Sequence, residues 1–430
     1  MNLTGLSILL IALLSVAGIS QQWSFADGIS WWRYGGSLLV LGLAYEWLRV
    51  RSLKLSITEL APLQLRLGRE ETLDLQFSNH SERACVVMYA PGLPGGISAS
   101  AEPRLLIIPA LGQTPASISV KACELGRWPW RRLPARVKGP LGLAWWPYSL
   151  RQEVELSVIP DLLGARGGAA GDLTVGERSL RVGSGTELHH LREYVAGDPR
   201  HTVDWKATAR SQQLITRVFS EEQHLEIMLV LDVGRTSRTQ VDGMSQFAHY
   251  VNLAAKFAQH AAACGDQIGL IAAADKPLVV LPPQRGNAAV MRIRQAISEL
   301  QAVPVETDML AAALSVLKIV KRRCLILLLT DLYGQSLAGD FGRSLKVWNT
   351  RHLPMVVGLI GEDVLTLSEQ EARTASDPYI SLAGREYRDS LLHNALGAQR
   401  LGAHAIVTRP AELQSRVFAE YQMLKLQHRV

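Results

Sequence analysis

Residues 225–231 have the sequence Leu-Glu-Ile-Met-Leu-Val-Leu and are followed by Asp232. Residues 324–329, Cys-Leu-Ile-Leu-Leu-Leu, form a second apolar run that ends at Thr330 and Asp331. Such runs are typical of strands in a parallel sheet, because helices cover both faces of that sheet. Around them the hydrophobic pattern predicts helices over 244–263, 287–300 and 309–320, and strands over 267–271, 353–360 and 403–407. We therefore expect residues 223–430 to form an α/β domain with a mainly parallel sheet.

The two aspartates that follow these strands are candidate ligands for a cation. In open α/β sheets, ligands bind beyond the carboxyl ends of the strands. A divalent cation such as Mg²⁺ prefers oxygen ligands. Asp232, Thr236, Thr307 and Asp331 could supply that set from neighbouring loops. The alternative is that Asp232 and Thr307 cap helix N-termini, as polar residues in strand-to-helix loops often do.

The segment Asp232-Val-Gly-Arg-Thr236, with the later Thr307 and Asp331, resembles the metal-ion-dependent adhesion site of von Willebrand factor A domains. That site has the pattern Asp-x-Ser-x-Ser, then a Thr and then an Asp. The resemblance implies a von Willebrand A-like fold with a degenerate site. Gly234 lacks the hydroxyl that a serine would supply, and Arg235 brings positive charge close to the cation position.

Three stretches ahead of this domain carry a second resemblance. They are Gly-Thr-Glu-Leu-His-His-Leu-Arg-Glu-Tyr at 185–194, Val-Ala-Gly-Asp-Pro-Arg at 195–200 and Thr-Val-Asp-Trp-Lys-Ala-Thr-Ala-Arg at 202–210. Together they resemble the signature of the bacterial DUF58 family. Residues 138–143, Lys-Gly-Pro-Leu-Gly-Leu, are similar to that family's Asp-Pro-Leu-Gly-Leu stretch, with Gly139 in place of the Asp.

The DUF58 resemblance implies a membrane hairpin, a β domain and a degenerate von Willebrand A-like domain. It also implies a MoxR-type AAA+ ATPase as partner, a chaperone-like role in the assembly or maturation of envelope complexes, and an association with transglutaminase-like membrane proteins.

The signature segment, residues 181–222, is rich in charges of both signs. Between 187 and 222 it has six acids and five Lys or Arg residues, which disfavours a phosphate-binding strip. It forms either a buried ion-pair network or a surface that binds a protein partner. The candidate residues are Arg192, Tyr194, Asp198, Arg200, Asp204, Trp205, Lys206 and Arg210.

The N-terminal residues 1–50 predict two transmembrane helices. Residues 3–19 and 34–48 are strongly apolar, and Arg49, Arg51 and Lys54 follow the second run. The positive-inside rule then predicts the bacterial inner membrane, with both termini and the soluble domains in the cytoplasm. The alternative is a cleaved signal or a lumenal orientation.

Residues 51–163 alternate between apolar and polar residues in short runs, which predicts a small antiparallel β-sandwich. Basic residues and tryptophans are interleaved over 121–151. They form either an ordinary sheet edge or a surface for anionic lipid headgroups; nucleic acid is not expected. Residues 164–180 are rich in Gly and Ala and predict a linker.

The composition and the motifs restrict the classes of function. The chain has 430 residues, a net charge of +6 and four cysteines without Cys-x-x-Cys spacing, which predicts free thiols in a reducing compartment. It contains no phosphate-binding P-loop, no His-Glu-x-x-His motif and no Gly-x-Ser-x-Gly motif. We therefore expect a non-enzymatic, membrane-anchored adaptor protein. The alternatives are a metal-dependent phosphoester hydrolase that uses Asp232 and Asp331, and a protein that binds anionic lipid at the membrane surface.

Overall fold

The computed structural model describes residues 2–23, 31–61, 64–99, 102–161, 180–183, 187–222, 224–333, 335–369 and 373–427. The chain divides into two compact units, Met1–Ile159 and Pro160–Val430. Nearly all of the predicted linker, residues 164–179, lies outside the described residues.

The first unit combines two helices with two β-sheets. The helices are α1 (Gly5–Trp23) and α2 (Trp31–Arg51). The strands are β1 (Asn2–Leu3), β2 (Leu55–Ala61), β3 (Gln64–Arg66), β4 (Glu70–Asn79), β5 (Cys85–Tyr89), β6 (Ile97–Ala99), β7 (Arg104–Ile108), β8 (Gln113–Ala122), β9 (Gly126–Lys138) and β10 (Ala144–Ile159).

These strands form two sheets, and buried and exposed residues alternate along several of the strands. One has the order β1-β10-β9-β5-β7, with β3 parallel to β10, and the other has the order β2-β4-β8-β6. Phe77 on β4 and Tyr89 on β5 are buried, and their ring centroids lie 5.0 Å apart. Apolar side chains from both sheets therefore share one core.

The predicted transmembrane hairpin, and with it the inner-membrane localisation, is wrong. Among the described residues, no helix is long and apolar enough to cross a membrane. In α1 the apolar run over 6–19 ends at Ser20, Gln21 and Gln22, and it is shorter than the roughly 20 residues of a membrane span. In α2, Arg33 and Glu46 interrupt the apolar sequence. Many apolar side chains of both helices are exposed within the first unit.

Glu46 attaches α2 to the turn that precedes β10. Its side chain is fully buried. Its carboxylate accepts hydrogen bonds from the backbone N–H groups of Leu141, Leu143 and Ala144 and from the Trp146 indole, at 2.9–3.1 Å. A Cβ atom at Gly139 would lie 2.1 Å from this carboxylate. The turn therefore has no room for a side chain at position 139, where the family stretch has an Asp.

The second unit contains a small antiparallel sheet followed by an α/β region. Its strands are β11 (Leu180–Gly183), β12 (Glu187–Glu193), β13 (Ile215–Glu222), β14 (Glu226–Asp232), β15 (Gln240–Val241), β16 (Met244–Ser245), β17 (Gln267–Ala273), β18 (Pro277–Gln284), β19 (Leu325–Leu329), β20 (Leu353–Leu359) and β21 (His404–Thr408). Its helices are α3 (Trp205–Ser211), α4 (Gln246–Ala263), α5 (Gly286–Ser298), α6 (Met309–Ile319), α7 (Asp340–Asn349), α8 (Glu362–Glu369), α9 (Asp377–Arg400) and α10 (Leu413–Leu426).

The large sheet of this unit is mixed and has the order β18-β17-β14-β19-β20-β21. The neighbouring strands in the series β17-β14-β19-β20-β21 are parallel. The edge strand β18 pairs with β17 in the antiparallel direction. The sequence pattern predicted the parallel strands and missed β18. Along most of β18, partly buried residues alternate with exposed ones, and the strand contains prolines at 277, 282 and 283. An edge strand tolerates such residues because one of its sides has no ladder to complete.

Candidate functional site

Asp232 and Asp331 lie at the same end of the large sheet. Asp232 ends β14, and Asp331 follows the neighbouring parallel strand β19. Both side chains are buried, with exposed fractions of 0% and 3%. Among the residues that the structure describes, no group of three or more His, Cys, Asp or Glu side chains could hold a metal ion.

The Asp232 carboxylate is hydrogen-bonded through both of its oxygens. Its Oδ1 accepts the Gly234 N–H at 2.9 Å and the Thr307 hydroxyl at 2.5 Å. Its Oδ2 accepts the Thr330 hydroxyl at 2.7 Å. Groups of the protein therefore supply hydrogen bonds to both oxygens of this buried carboxylate.

Gly234 leaves no room for the serine of the adhesion-site pattern. A Cβ atom at this position would lie 2.1 Å from the Thr307 hydroxyl oxygen and 2.8 Å from the Val305 carbonyl oxygen. The space of a serine side chain is therefore filled by Thr307, which donates to Asp232. The half-buried Thr236 lies in a 3-10 turn, Arg235–Arg238, where its carbonyl accepts the Thr239 N–H. A Mg²⁺ site at Asp232, Thr236, Thr307 and Asp331 stays a prediction, which these contacts disfavour.

The alternative that Asp232 and Thr307 cap helix N-termini is wrong. Asp308 caps α6 by accepting the Ala311 N–H at 2.8 Å. Ser245 caps α4 by accepting the Ala248 N–H at 3.2 Å. Asp232 and Thr307 instead join the end of β14 to the loop before α6.

Asp331 differs from Asp232 in having few hydrogen-bond donors. Burial raises the pKa of its carboxyl to about 6, and the neighbouring Asp232 carboxylate acts in the same direction. The Tyr333 N–H donates to Asp331 at 3.0 Å and opposes this rise. A carboxyl with such a pKa can exchange protons near neutral pH, but its 3% exposure leaves little access for a substrate.

The sequence analysis assigned no role to Thr330 or to Gln246 and Tyr250, two residues of α4 that lie next to it. The Tyr250 hydroxyl donates to the backbone carbonyls of Thr330 and Val357, at 2.8 and 3.1 Å. The Gln246 amide donates to that hydroxyl at 3.0 Å. Thr330 directly precedes Asp331, so its position beyond an apolar strand was the available signal. Nothing in the sequence indicated that Gln246 and Tyr250 on α4 lie beneath it.

The signature segment forms the antiparallel sheet β11-β13-β12 together with α3. Arg192 pairs with Asp198 at 2.7 Å, and the guanidinium holds the pKa of Asp198 below its ordinary value. The Tyr194 hydroxyl donates to the Asp198 carbonyl at 3.3 Å. These contacts fix the turn after β12. The ion pair is partly exposed, with 39% of the Arg192 side chain accessible.

Asp204 fixes the start of α3. Its carboxylate accepts the N–H groups of Lys206 and Ala207, which is the geometry of a helix N-cap. The same carboxylate pairs with Arg217 on β13 at 3.0 Å, and the pKa of Asp204 is consequently lowered. Thr208 accepts the Ile215 N–H at 3.0 Å. The short helix is therefore held against β13 at its N-cap and at its middle residue.

Other residues of the segment extend into solvent. Trp205 is 68% exposed, Val195 59% and Leu214 48%. Arg200, Lys206 and Arg210 are also exposed, and their side chains make no hydrogen bond or ion pair with any other residue that the structure describes. We call these six residues the signature surface: Val195, Arg200, Trp205, Lys206, Arg210 and Leu214. Of the eight predicted residues, four thus lie in this surface, while Arg192, Tyr194, Asp198 and Asp204 support it.

Residues 190–373 match the family model described as "Protein of unknown function DUF58". The match supports DUF58 family membership. The matched residues include the signature surface, Asp232 and Asp331, and they do not reach the first unit. A comparison with curated proteins found no match.

Similar solved structures share little sequence with this chain. The conserved hypothetical protein BatB from Bacteroides thetaiotaomicron is 11% identical, covers 47% of this chain and 99% of its own, and has a TM-score of 0.31. Proximal thread matrix protein 1 from the mussel byssus is 15% identical, covers 39% of this chain and 47% of its own, and has a TM-score of 0.27. Scores this low support no conclusion about function.

Proposed function

We propose that this DUF58 protein is a non-enzymatic adaptor whose α/β unit binds a partner protein. The observation that carries the proposal is the exposure of Trp205 on a helix that Asp204 and Thr208 hold in place. A large aromatic side chain on a rigid support is a common anchor of protein interfaces, because it loses little conformational entropy on binding.

The carboxyl end of the sheet favours the adaptor over the hydrolase alternative. A metal-dependent hydrolase needs carboxylates that are open to a cation and to a substrate. Asp232 has both oxygens occupied by hydrogen bonds within the protein, and Asp331 is almost fully buried. The arrangement fits a von Willebrand A-like domain whose metal position has been filled by Thr307.

The partner that the family resemblance implies is a MoxR-type AAA+ ATPase. In that role the protein would take part in the assembly or maturation of envelope complexes, together with transglutaminase-like proteins. We place the ATPase contact on the signature surface, because this surface lies within the matched residues and combines apolar with charged side chains.

The test is direct binding between the purified full-length chain and a purified MoxR-type ATPase from the same organism, measured by surface plasmon resonance. Wild type should bind, and Trp205→Ala should weaken binding by about thirtyfold, as for a central aromatic anchor. Tyr379→Ala is the matched control, because Tyr379 is an equally exposed aromatic residue on α9. Equal binding of wild type and Trp205→Ala, or no binding at all, would contradict the proposal.

A further inference from the structure

We infer that the signature surface binds an acidic segment of its partner, with an apolar side chain of that segment packed against Trp205. This inference rests on the proposed function and adds the chemistry of the partner. It follows from how the backbone places the apolar residues and from which charges remain unpaired.

Two backbone hydrogen bonds place the apolar residues side by side. The Tyr194 N–H donates to the Leu214 carbonyl at 2.8 Å, which brings the turn that contains Val195 next to Leu214. The Asp204 N–H donates to the Ile215 carbonyl, also at 2.8 Å, which brings Trp205 next to the same strand end. Val195, Leu214 and Trp205 therefore occupy three neighbouring segments. Each of them is about half exposed or more.

The two ion pairs of the segment leave three of its five bases exposed and without a partner among the described residues; Glu193, at the end of β12, is an exposed acid outside these pairs. Two of its acids are already used, because Asp198 pairs with Arg192 and Asp204 pairs with Arg217. Arg200, Lys206 and Arg210 have no such partner among the described residues. Lys206 and Arg210 are four residues apart on α3, so they project from one face of that helix. A carboxylate-bearing segment would complement these charges and would associate faster at low ionic strength.

Two other occupants agree less well with this arrangement. A nucleic acid carries a charge at every phosphate, and these charges would meet the carboxylates of Asp198 and Asp204, which support the signature surface and are about 15% exposed. A second copy of the chain in a two-fold arrangement would bring the same unpaired bases against one another. A protein segment can instead place a few carboxylates against Arg200, Lys206 and Arg210 and an apolar side chain on Trp205.

The test is selection of peptides from a random phage-displayed library on the immobilised full-length chain. Wild type should enrich peptides that carry several Asp or Glu residues beside an aromatic or aliphatic residue. Synthetic versions should bind about tenfold more weakly to the double variant Lys206→Glu/Arg210→Glu and about thirtyfold more weakly to Trp205→Ala. The matched control is Lys321→Glu/Arg322→Glu, which makes the same charge change at two exposed bases outside the surface.

Several outcomes would overturn the inference. The inference fails if no peptide is enriched, or if the enriched peptides have no acidic bias. It also fails if the control variant weakens binding of the acidic peptides as much as Lys206→Glu/Arg210→Glu does. A labelled single-stranded oligonucleotide that binds wild type but not Trp205→Ala would assign the surface to nucleic acid instead. These outcomes can be distinguished from a failure of the proposed function. ATPase binding that depends on Trp205 but not on Lys206 and Arg210 removes only the acidic chemistry. Acidic peptides that bind without any ATPase binding remove only that partner.

Discussion

The hydroxyl of Thr307 donates a hydrogen bond of 2.5 Å to Oδ1 of Asp232, across a sequence separation of 75 residues. This contact joins the end of the central strand β14 to the loop that leads into α6. It also occupies the place that a serine at position 234 would need. At the site that the sequence predicted to bind a cation, this contact forms a hydrogen-bonded junction between two loops.

Replacing Thr307 by Val should destabilise the second unit. The substitution keeps the shape of the side chain and removes the donor, so the buried Asp232 carboxylate loses one of its three hydrogen bonds. We expect a loss of about 1–3 kcal/mol in the free energy of unfolding. Thr307→Ser should lose much less. Chemical denaturation measures the effect, and Thr350→Val, at an exposed threonine, is the control. Equal stability of Thr307→Val and wild type would show that the contact contributes nothing.

Gly234→Ser restores the residue type of the adhesion-site pattern and should nevertheless fail to create a metal site. The new side chain would collide with Thr307 and with the Val305 carbonyl, so we expect a loss of about 1–3 kcal/mol. Thr307→Ala in the same chain should recover part of that loss, because it removes the nearest obstacle. Thermal denaturation with and without millimolar Mg²⁺ tests both points. A rise in melting temperature with Mg²⁺ in Gly234→Ser would contradict the expectation.

The sequence predicted the strands around this junction, because buried parallel strands need nearly continuous apolar residues. It also placed Asp232 and Asp331 at one end of the sheet, since both follow such strands. It could not show that Thr307 and Thr330 donate to Asp232. Those contacts depend on the path of two loops that are distant in sequence, and a hydroxyl in a metal site looks the same in sequence as a hydroxyl in a hydrogen bond.

Glu46 shows the opposite case, in which a residue counted as an interruption has a structural role. In sequence it appears as one charge within an apolar stretch. In the structure it accepts four hydrogen bonds from the turn over 139–146. The same residue therefore contributed both to the error about the hairpin and to the failure to connect α2 with the family-like stretch at 138–143.

Glu46→Ala should destabilise the first unit strongly. Three backbone N–H groups and the Trp146 indole would lose a buried acceptor together, and we expect a loss of at least about 3 kcal/mol. Tryptophan fluorescence during denaturation is a suitable readout, because eight of the ten tryptophans lie in this unit. Glu82→Ala removes an exposed acid from the same unit and should change little. A loss for Glu46→Ala no larger than for Glu82→Ala would disprove the role of Glu46.

Asp331 should make the stability of the second unit depend on pH. Its pKa is about 6 in the folded chain, against an ordinary value of 3.8, so the folded state binds the proton more tightly than the unfolded state. Stability should therefore fall as the pH rises from below about 4 to above about 6, by roughly 3 kcal/mol in total. Asp331→Asn cannot ionise and should lack this component. The measurement is the difference between the unfolding free energies of wild type and Asp331→Asn across that range. A difference that does not change with pH would exclude the coupling.

The amino end of the same sheet depends on Asp266, which is fully buried. Its carboxylate accepts the Leu225 N–H at 2.9 Å, the Tyr421 hydroxyl, and the Lys425 ammonium at 2.9 and 3.0 Å. Tyr421 and Lys425 belong to α10, and Leu225 precedes β14. This one carboxylate therefore attaches the C-terminal helix to the sheet.

Lys425→Met should release α10 from this attachment. The substitution leaves the buried Asp266 carboxylate without its cation, which typically costs about 3–5 kcal/mol. In Asp266→Asn the loss should be smaller, because Lys425 is 15% exposed and its ammonium can turn toward solvent. The double variant should lose less than the sum of the two single losses, since the pair no longer contains an unpaired charge. Hydrogen exchange of the α10 amides should report the same order, and Lys318→Met, at an exposed lysine of α6, should leave it unchanged. Additive losses in the two single variants would show that Lys425 and Asp266 act independently.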